Sequence, residues 1–404
     1  PTAGGMGMLA FGAGGLDVAV AMGGGAYYIA MPEIVKINLI GSLRPWVSAK
    51  DVILEVLRLL TVKGGVGRII EYGGEGVNSL SVPERATITN MGAELGATTS
   101  IFPSDQITKD FLRAQGREND WKKVKADPDA VYDLTIDINL SDLKPLAALP
   151  HMPDKVKTLE EIGKIKIDQV CIGSCTNSSL QDLMKAASIL KGKSVHQDVS
   201  LTISPGSMQV LNMLAVNGAL SHMIAAGARI LEAACGPCIG MGQAPASGAV
   251  SLRTFNRNFE GRSGTADAKV YLVSPEVAAA SAVTGYLTDP RSLNHTFEFE
   301  QPDRFLINDS SILEPASPEE AETLEIYYGP NIKPFPKTQK LPETIKAKVV
   351  LKVGDNITTD HIMPAGAKIL PYRSNIPYLA KFCFEQIKKD FAEICKAAGS
   401  GIII

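Results

Sequence analysis

Cys175, in Cys171-Ile-Gly-Ser-Cys-Thr-Asn177, and the pair Cys235 and Cys238, in Cys235-Gly-Pro-Cys-Ile-Gly240, are the residues of this chain best suited to chemistry. Three thiolates suit an iron–sulfur cluster that is one protein ligand short. A cluster that only carries electrons normally has every iron capped by protein. An iron left open is positioned to act as a Lewis acid. Both loops are rich in Gly, Ser, Thr and Asn, which let backbone amides approach sulfur and place polar groups around a metal. Two other readings stay open on the loops alone. Structural zinc needs four ligands, for which Cys171 is the obvious fourth, although the apolar run Gln169-Val-Cys-Ile172 reads as a buried strand. Cys-Gly-Pro-Cys is also the sequence of a thioredoxin-type dithiol.

Close behind the cysteine pair, Arg253-Thr-Phe-Asn-Arg257-Asn-Phe-Glu-Gly-Arg262 places three arginines in ten residues. The planar guanidinium grips a carboxylate with two parallel hydrogen bonds. An arginine-rich loop beside a Lewis-acid iron implies a substrate with several carboxylates, and a solvated surface loop is the plain alternative.

These groups need a framework to position them. Lys36–Ile40 reads as a strand, Ser48-Ala-Lys-Asp51 opens an amphipathic helix ending near Gly64, and Arg68–Tyr72 is the next strand. Strand, helix, strand in that order suits a parallel α/β layer. Lys166–Ile172 is a strand running into the Cys175 loop, where open parallel sheets put their sites. Val199–Ile203, Arg229–Glu232 and Lys269–Val273 are further strands, and Ser274-Pro-Glu276 opens a helix with proline in its first turn. Gly, Ala and Met dominate residues 1–31, predicting backbone packed closely against a ligand or another element.

The chain resembles the aconitase superfamily. The resemblance is carried by Gly173-Ser-Cys-Thr-Asn-Ser178, Ala234-Cys-Gly-Pro-Cys-Ile-Gly240, Asn256-Arg-Asn-Phe-Glu-Gly-Arg262, Asn90-Met-Gly-Ala-Glu-Leu-Gly-Ala-Thr-Thr-Ser100 and Asp355-Asn-Ile-Thr-Thr-Asp-His-Ile362. Several motifs in the right order are more specific than any one. The resemblance implies consecutive α/β domains with mostly parallel sheets around the cluster, then a linker and the start of a swivelling α/β domain. Their expected bounds are 1–32, 33–148, 149–308, 309–344 and 345–404. It implies a [4Fe-4S] cluster held by Cys175, Cys235 and Cys238. Substrate binding is expected from Asn256, Arg257, Arg262 and Arg373, and catalytic roles from Asn90, Glu94, Asp360 and His361. Arg253 matches no substrate residue of the family and reads as structural. Glu94 would orient a histidine of an upstream Asp-Ser-His-Thr motif that this sequence does not contain. A Gly-Ser-Ser-Arg loop carrying the serine base is expected beyond its other end, so residues 1–404 read as a fragment, inactive alone.

The implied activity is that of aconitate hydratase, a hydro-lyase isomerising citrate to isocitrate through cis-aconitate in the tricarboxylic acid cycle. Sister dehydratases such as homoaconitase and 3-isopropylmalate dehydratase share the cysteine motifs. The linker joining the swivel domain to the cluster domains favours aconitate hydratase, because many of the sisters carry that domain on a separate chain.

Composition sets the outer bounds. A chain of 404 residues is too long for one core. Hydrophobic content of 45% and charged content of 21% are ordinary for a globular protein. A net charge of −3 argues against a general nucleic-acid binder, and nothing basic supports an RNA-binding regulator in the cluster-free state. Six irregularly spaced cysteines imply a reducing compartment, the cytoplasm or a mitochondrial matrix. The apolar stretch from Val18 to Met31 is too short and too rich in glycine to span a bilayer. A monomer is expected.

Overall fold

The computed structural model describes residues 2–404 apart from 294, 295, 338, 341, 356, 358 and 365–368. The chain divides into two units, Pro1–Ser311 and Ile312–Ile404. Each is α/β with mostly parallel pairing.

The first unit holds two sheets. Strands β1 (Glu33–Ile40), β2 (Arg68–Gly73), β3 (Thr99–Ile101) and β4 (Leu134–Asn139) form a fully parallel sheet in the order β3-β2-β1-β4. Val35, Ile37 and Leu39 alternate along β1 and are wholly buried, which fixes its register by the two-residue period of a strand. The helix Ala49–Leu60 covers this sheet. Ser48 and Asp51 form the capping box expected from the sequence, with the Ser48 amide donating to Asp51 at 2.8 Å.

The second sheet contains β5 (Leu146–Ala148), β6 (Val156–Thr158), β7 (Gln169–Gly173), β8 (Ser200–Ser204), β9 (Arg229–Ile230), β10 (Val250–Arg253) and β11 (Lys269–Leu272). Its order is β6-β5-β11-β10-β7-β8-β9, and the five strands from β7 to β11 pair in parallel, so they present their C-terminal ends on one edge. The short β5 and β6 run antiparallel at the rim. Helices Leu180–Leu190 and Pro275–Thr284 pack on each other, and the run of small residues Ala278, Ala279, Ala280 and Ala282 lets them approach closely. Pro275 stands in the first turn behind the Ser274 cap.

The helix Val82–Met91 of the first layer lies against the second. Ser81 Oγ reaches Gln181 Oε1 at 2.7 Å, and Thr87 Oγ1 donates to the Thr176 carbonyl at 3.0 Å. Lys185 sits 3.4 Å from both Glu84 and Glu276.

The N-terminal segment departs in part from expectation. Gly4 and Gly5 are buried, and a Cβ on Gly4 would lie 1.9 Å from the Ser100 carbonyl oxygen. From Gly12 to Met31, however, the chain is exposed, and the helix Gly15–Met22 buries no residue.

In the second unit, β12 (Lys348–Leu351) and β13 (Gly401–Ile403) pair in parallel beside a small core of Leu351, Phe384 and Phe391. The stretch 312–345 is exposed at nearly every described position and holds one short helix, Pro318–Ala321. No helix among the described residues is long and apolar enough to cross a membrane.

Candidate functional site

Strand β7 ends at Gly173, whose φ of +123° suits glycine, and a Cβ there would lie 2.0 Å from the Ser204 carbonyl oxygen of β8. Ser174 follows at φ +67°, a region costly for a residue with a side chain. This turn lifts Cys175 off the sheet edge into an exposed position, while Cys171, two residues inside β7, stays buried. Burial pushes the Cys171 thiol up, which disfavours the thiolate a metal would need.

The other two thiols come from the loop after β9. Cys235 precedes a single 3-10 turn, Gly236–Ile239, which contains the buried Cys238. Gly240 closes the turn at φ +80°, with the Ser263 carbonyl 2.1 Å from where a Cβ would stand. The Cys235 thiol is pushed up by burial and by the neighbouring Cys238 and Cys175.

Around Cys175 the first layer and the arginine loop meet. Cys175 Sγ is 3.8 Å from Asn90 Oδ1 and 3.6 Å from Asn256 Oδ1. Thr176 Oγ1 donates toward the same two oxygens at 3.2 and 3.1 Å, and Asn256 Nδ2 donates to Asn90 Oδ1 at 3.2 Å. Arg257 Nε donates to Glu94 Oε1 at 2.9 Å. Burial pushes the Glu94 carboxyl up, against the pull of Arg257, Arg262 and Lys50. Arg262 Nη2 donates to Cys238 Sγ at 3.4 Å, while its Nε is buried without a partner.

Eight of the eleven residues expected at the site are therefore gathered in the first unit: Asn90, Glu94, Cys175, Cys235, Cys238, Asn256, Arg257 and Arg262. The other three belong to the second unit. His361 is half-buried in the helix Thr359–Ile362, and Arg373 is exposed in the turn before Asn375. The Asp360 side chain lies outside the described residues. In this structure Glu94 holds Arg257; the histidine that the resemblance pairs with Glu94 belongs to a motif outside this sequence, so that pairing lies beyond these residues.

Sequence reasoning missed Lys50. It is wholly buried, and its Nζ donates to the carbonyls of Thr254 and Phe255 at 3.0 and 2.6 Å. Desolvation pushes it down to about 7, opposed by the charges of Cys175, Asp182, Asp51 and Glu94. A signal was present: Lys50 shares a helix face with Ile53, Leu54 and Leu57, the spacing of a buried stripe.

Three cysteine thiols on two loops, with the Arg262 guanidinium at Cys238, are a donor set of the kind an iron–sulfur cluster takes. Among the described residues no three His, Cys, Asp or Glu side chains are grouped to hold one metal ion. Thiolates of a cluster each cap a different iron and need not meet at a point. Arg262, with Nη2 at Cys238 Sγ and Nε buried without a hydrogen-bond partner among the described residues, also leaves a donor for an acceptor that the protein does not supply there.

A parallel α/β framework with three loop thiols and facing arginines defines a dehydratase-like class, and the sequence comparisons agree. The chain matches the Aconitase family (aconitate hydratase) over residues 1–164 and 156–285, and it belongs to that family. It is 44% identical over 293 residues to 3-isopropylmalate dehydratase large subunit 1 of Thermotoga maritima, covering 72% of this chain and 70% of that protein. It is 43% identical over 291 residues to 3-isopropylmalate dehydratase large subunit 2 of Archaeoglobus fulgidus, with 72% and 70% covered. A Moorella thermoacetica large subunit is 42% identical over 294 residues, with 72% and 69% covered.

These relatives overturn the expectation of aconitate hydratase acting on citrate and isocitrate. The quoted motifs build the thiol site and its arginine grip, which sister dehydratases share. The linker argument failed because joining domains on one chain is a matter of connectivity and says nothing about pocket chemistry.

Proposed function

We propose that this chain is the large subunit of a 3-isopropylmalate dehydratase-type hydro-lyase, acting on an alkyl-substituted hydroxy dicarboxylate. The observation that carries this reading is the meeting of Arg257, Glu94, Asn256 and Asn90 at Cys175. The relatives' names favour the alkyl-malate substrate, and "large subunit" in those names favours a small-subunit partner over a monomer.

Dehydration takes a hydroxyl from one carbon and a proton from its neighbour, which an adjacent carboxylate acidifies. Cys175, Cys235 and Cys238 would hold a [4Fe-4S] cluster, which when bound supplies a Lewis acid at the leaving hydroxyl. Arg257 binds a substrate carboxylate. Glu94 takes its Nε, and the two Nη nitrogens of this exposed side chain, which have no protein hydrogen bond among the described residues, remain available as a fork. Arg262 offers a second cation beside Cys238, and Asn90 and Asn256 orient polar oxygens by their amides. The family resemblance alone supports a carboxylate-binding role for Arg373 and proton-handling or supporting roles for Asp360 and His361, all three carried by the second unit. Reactive thiolates require a reducing compartment, which supports the cytoplasm.

The test is turnover by the complete, anaerobically reconstituted enzyme with any co-purifying small subunit. Dehydration of 3-isopropylmalate should far exceed that of citrate in kcat/KM. Equal or better use of citrate overturns the substrate assignment.

A further inference from the structure

Arg253, at the end of β10, is wholly buried, although it carries a charge that is never lost in a protein. Its guanidinium makes four hydrogen bonds among the described residues. Nη1 donates to the Pro237 carbonyl, between the two cysteines of the Cys235–Cys238 turn. Nη2 donates to the Gln243 carbonyl at 3.1 Å, further along the same loop, and to Gln169 Oε1 at 2.8 Å at the start of β7. Nε donates to Ser251 Oγ at 3.0 Å, and Ser251 donates in turn to Gln169 Oε1 at 2.7 Å. Phe255 lies under the guanidinium at 5.5 Å and packs with Cys171 and Cys238.

None of these hydrogen-bond partners is a carboxylate. A buried cation without a paired anion is strongly disfavoured unless negative charge lies nearby. What lies nearby is the cysteine turn, whose backbone the guanidinium grips at the Pro237 carbonyl. We propose that Arg253 is a positioning residue for the cluster: it clamps the Cys235–Cys238 turn in ligating geometry and supplies the fixed positive charge that offsets the anionic thiolate–iron centre. This rests on the cluster reading given above, and it assigns a task to an arginine that matched no substrate role.

Arg253→Met keeps much of the apolar stem and removes both fork and charge; Arg253→Lys keeps the charge and loses the fork. After anaerobic reconstitution, cluster loss to an iron chelator is followed by visible absorbance, and the reduction potential by spectroelectrochemistry. Arg253→Met should lose its cluster at least about tenfold faster than the parent, the scale of one charge-assisted hydrogen bond, and its potential should move to more negative values. Arg253→Lys should recover the potential and still lose the cluster faster than the parent. Parent-like retention and potential in Arg253→Met, with only thermal stability reduced, overturn the proposal. Should Arg253→Met not fold, parent-like retention in Arg253→Lys overturns the clamp. A parent protein that takes up no cluster refutes the cofactor reading instead, so the two failures are distinct.

Discussion

Replacing Lys50 by Met tests how the arginine loop is held. Lys50 is wholly buried, and its two hydrogen bonds, 3.0 Å to the Thr254 carbonyl and 2.6 Å to the Phe255 carbonyl, tie the first-layer helix to the two residues before Asn256 and Arg257. Two opposed effects decide the stability change. Two buried carbonyls left without donors cost about 1–3 kcal/mol each. Against that, desolvation pushes Lys50 from 10.5 down to about 7, which at neutral pH is a burdened amine worth about 4 kcal/mol by linkage. The two nearly cancel, so Lys50→Met should be within about 2 kcal/mol of the parent at pH 7.

The sign of the pH dependence follows from the same values. Between about 7 and 10.5 the unfolded chain binds a proton at Lys50 that the folded chain does not, so folding gains stability as pH rises through that window. The parent should gain about 3 kcal/mol over Lys50→Met between pH 7 and about pH 9.5. Guanidinium denaturation at the two pH values measures this directly. Function should respond differently: released carbonyls let Arg257 drift, so KM for the substrate rises and the effect is non-additive with that of Arg257→Lys. A stability gap that does not change with pH refutes the depressed lysine. Additive effects on KM refute its role in holding the loop.

Two further outcomes follow from the same geometry. Cys175→Ser, Cys235→Ser or Cys238→Ser should each leave iron and sulfide content near zero after reconstitution, whereas Cys171→Ser, at a thiol that burial pushes up, should retain the cluster; a stable cluster without Cys238 contradicts the ligand set. Arg85 is wholly buried and donates to the Val77, Leu80 and Pro103 carbonyls and to both oxygens of Asp105, so Arg85→Met should destabilise the first unit by about 3–5 kcal/mol in a denaturant titration. Burial raises and Arg85 lowers the Asp105 carboxyl, with the net shift downward, so the stability this pair contributes is present above 3.8 and fades as pH falls below it, a dependence the variant should lack.

The sequence by itself determined the local elements and the chemistry-bearing residues. Caps and periodicity placed the helix after Ser48, the helix after Ser274 and the strand ahead of Cys175, because those signals depend on neighbours a few residues apart. The cysteines and arginines were legible because few other tasks use those residue types at that spacing. Tertiary structure alone decided which of them meet. The Glu94–Arg257 pair spans 163 residues, and the reach of Lys50 to Phe255 spans 205; local patterns carry no information about such contacts. The exposed segment from Gly12 to Met31 was misread because a glycine-rich run predicts close approach without saying to what. Arg253 read as structural because it matched no substrate residue, and only the packing of β7, β10 and the cysteine turn around it showed which structure it serves, a buried charge gripping the Pro237 carbonyl. Substrate choice lay beyond the motifs for a related reason. They encode the centre shared by a family, whereas discrimination arises where the remainder of the substrate touches protein.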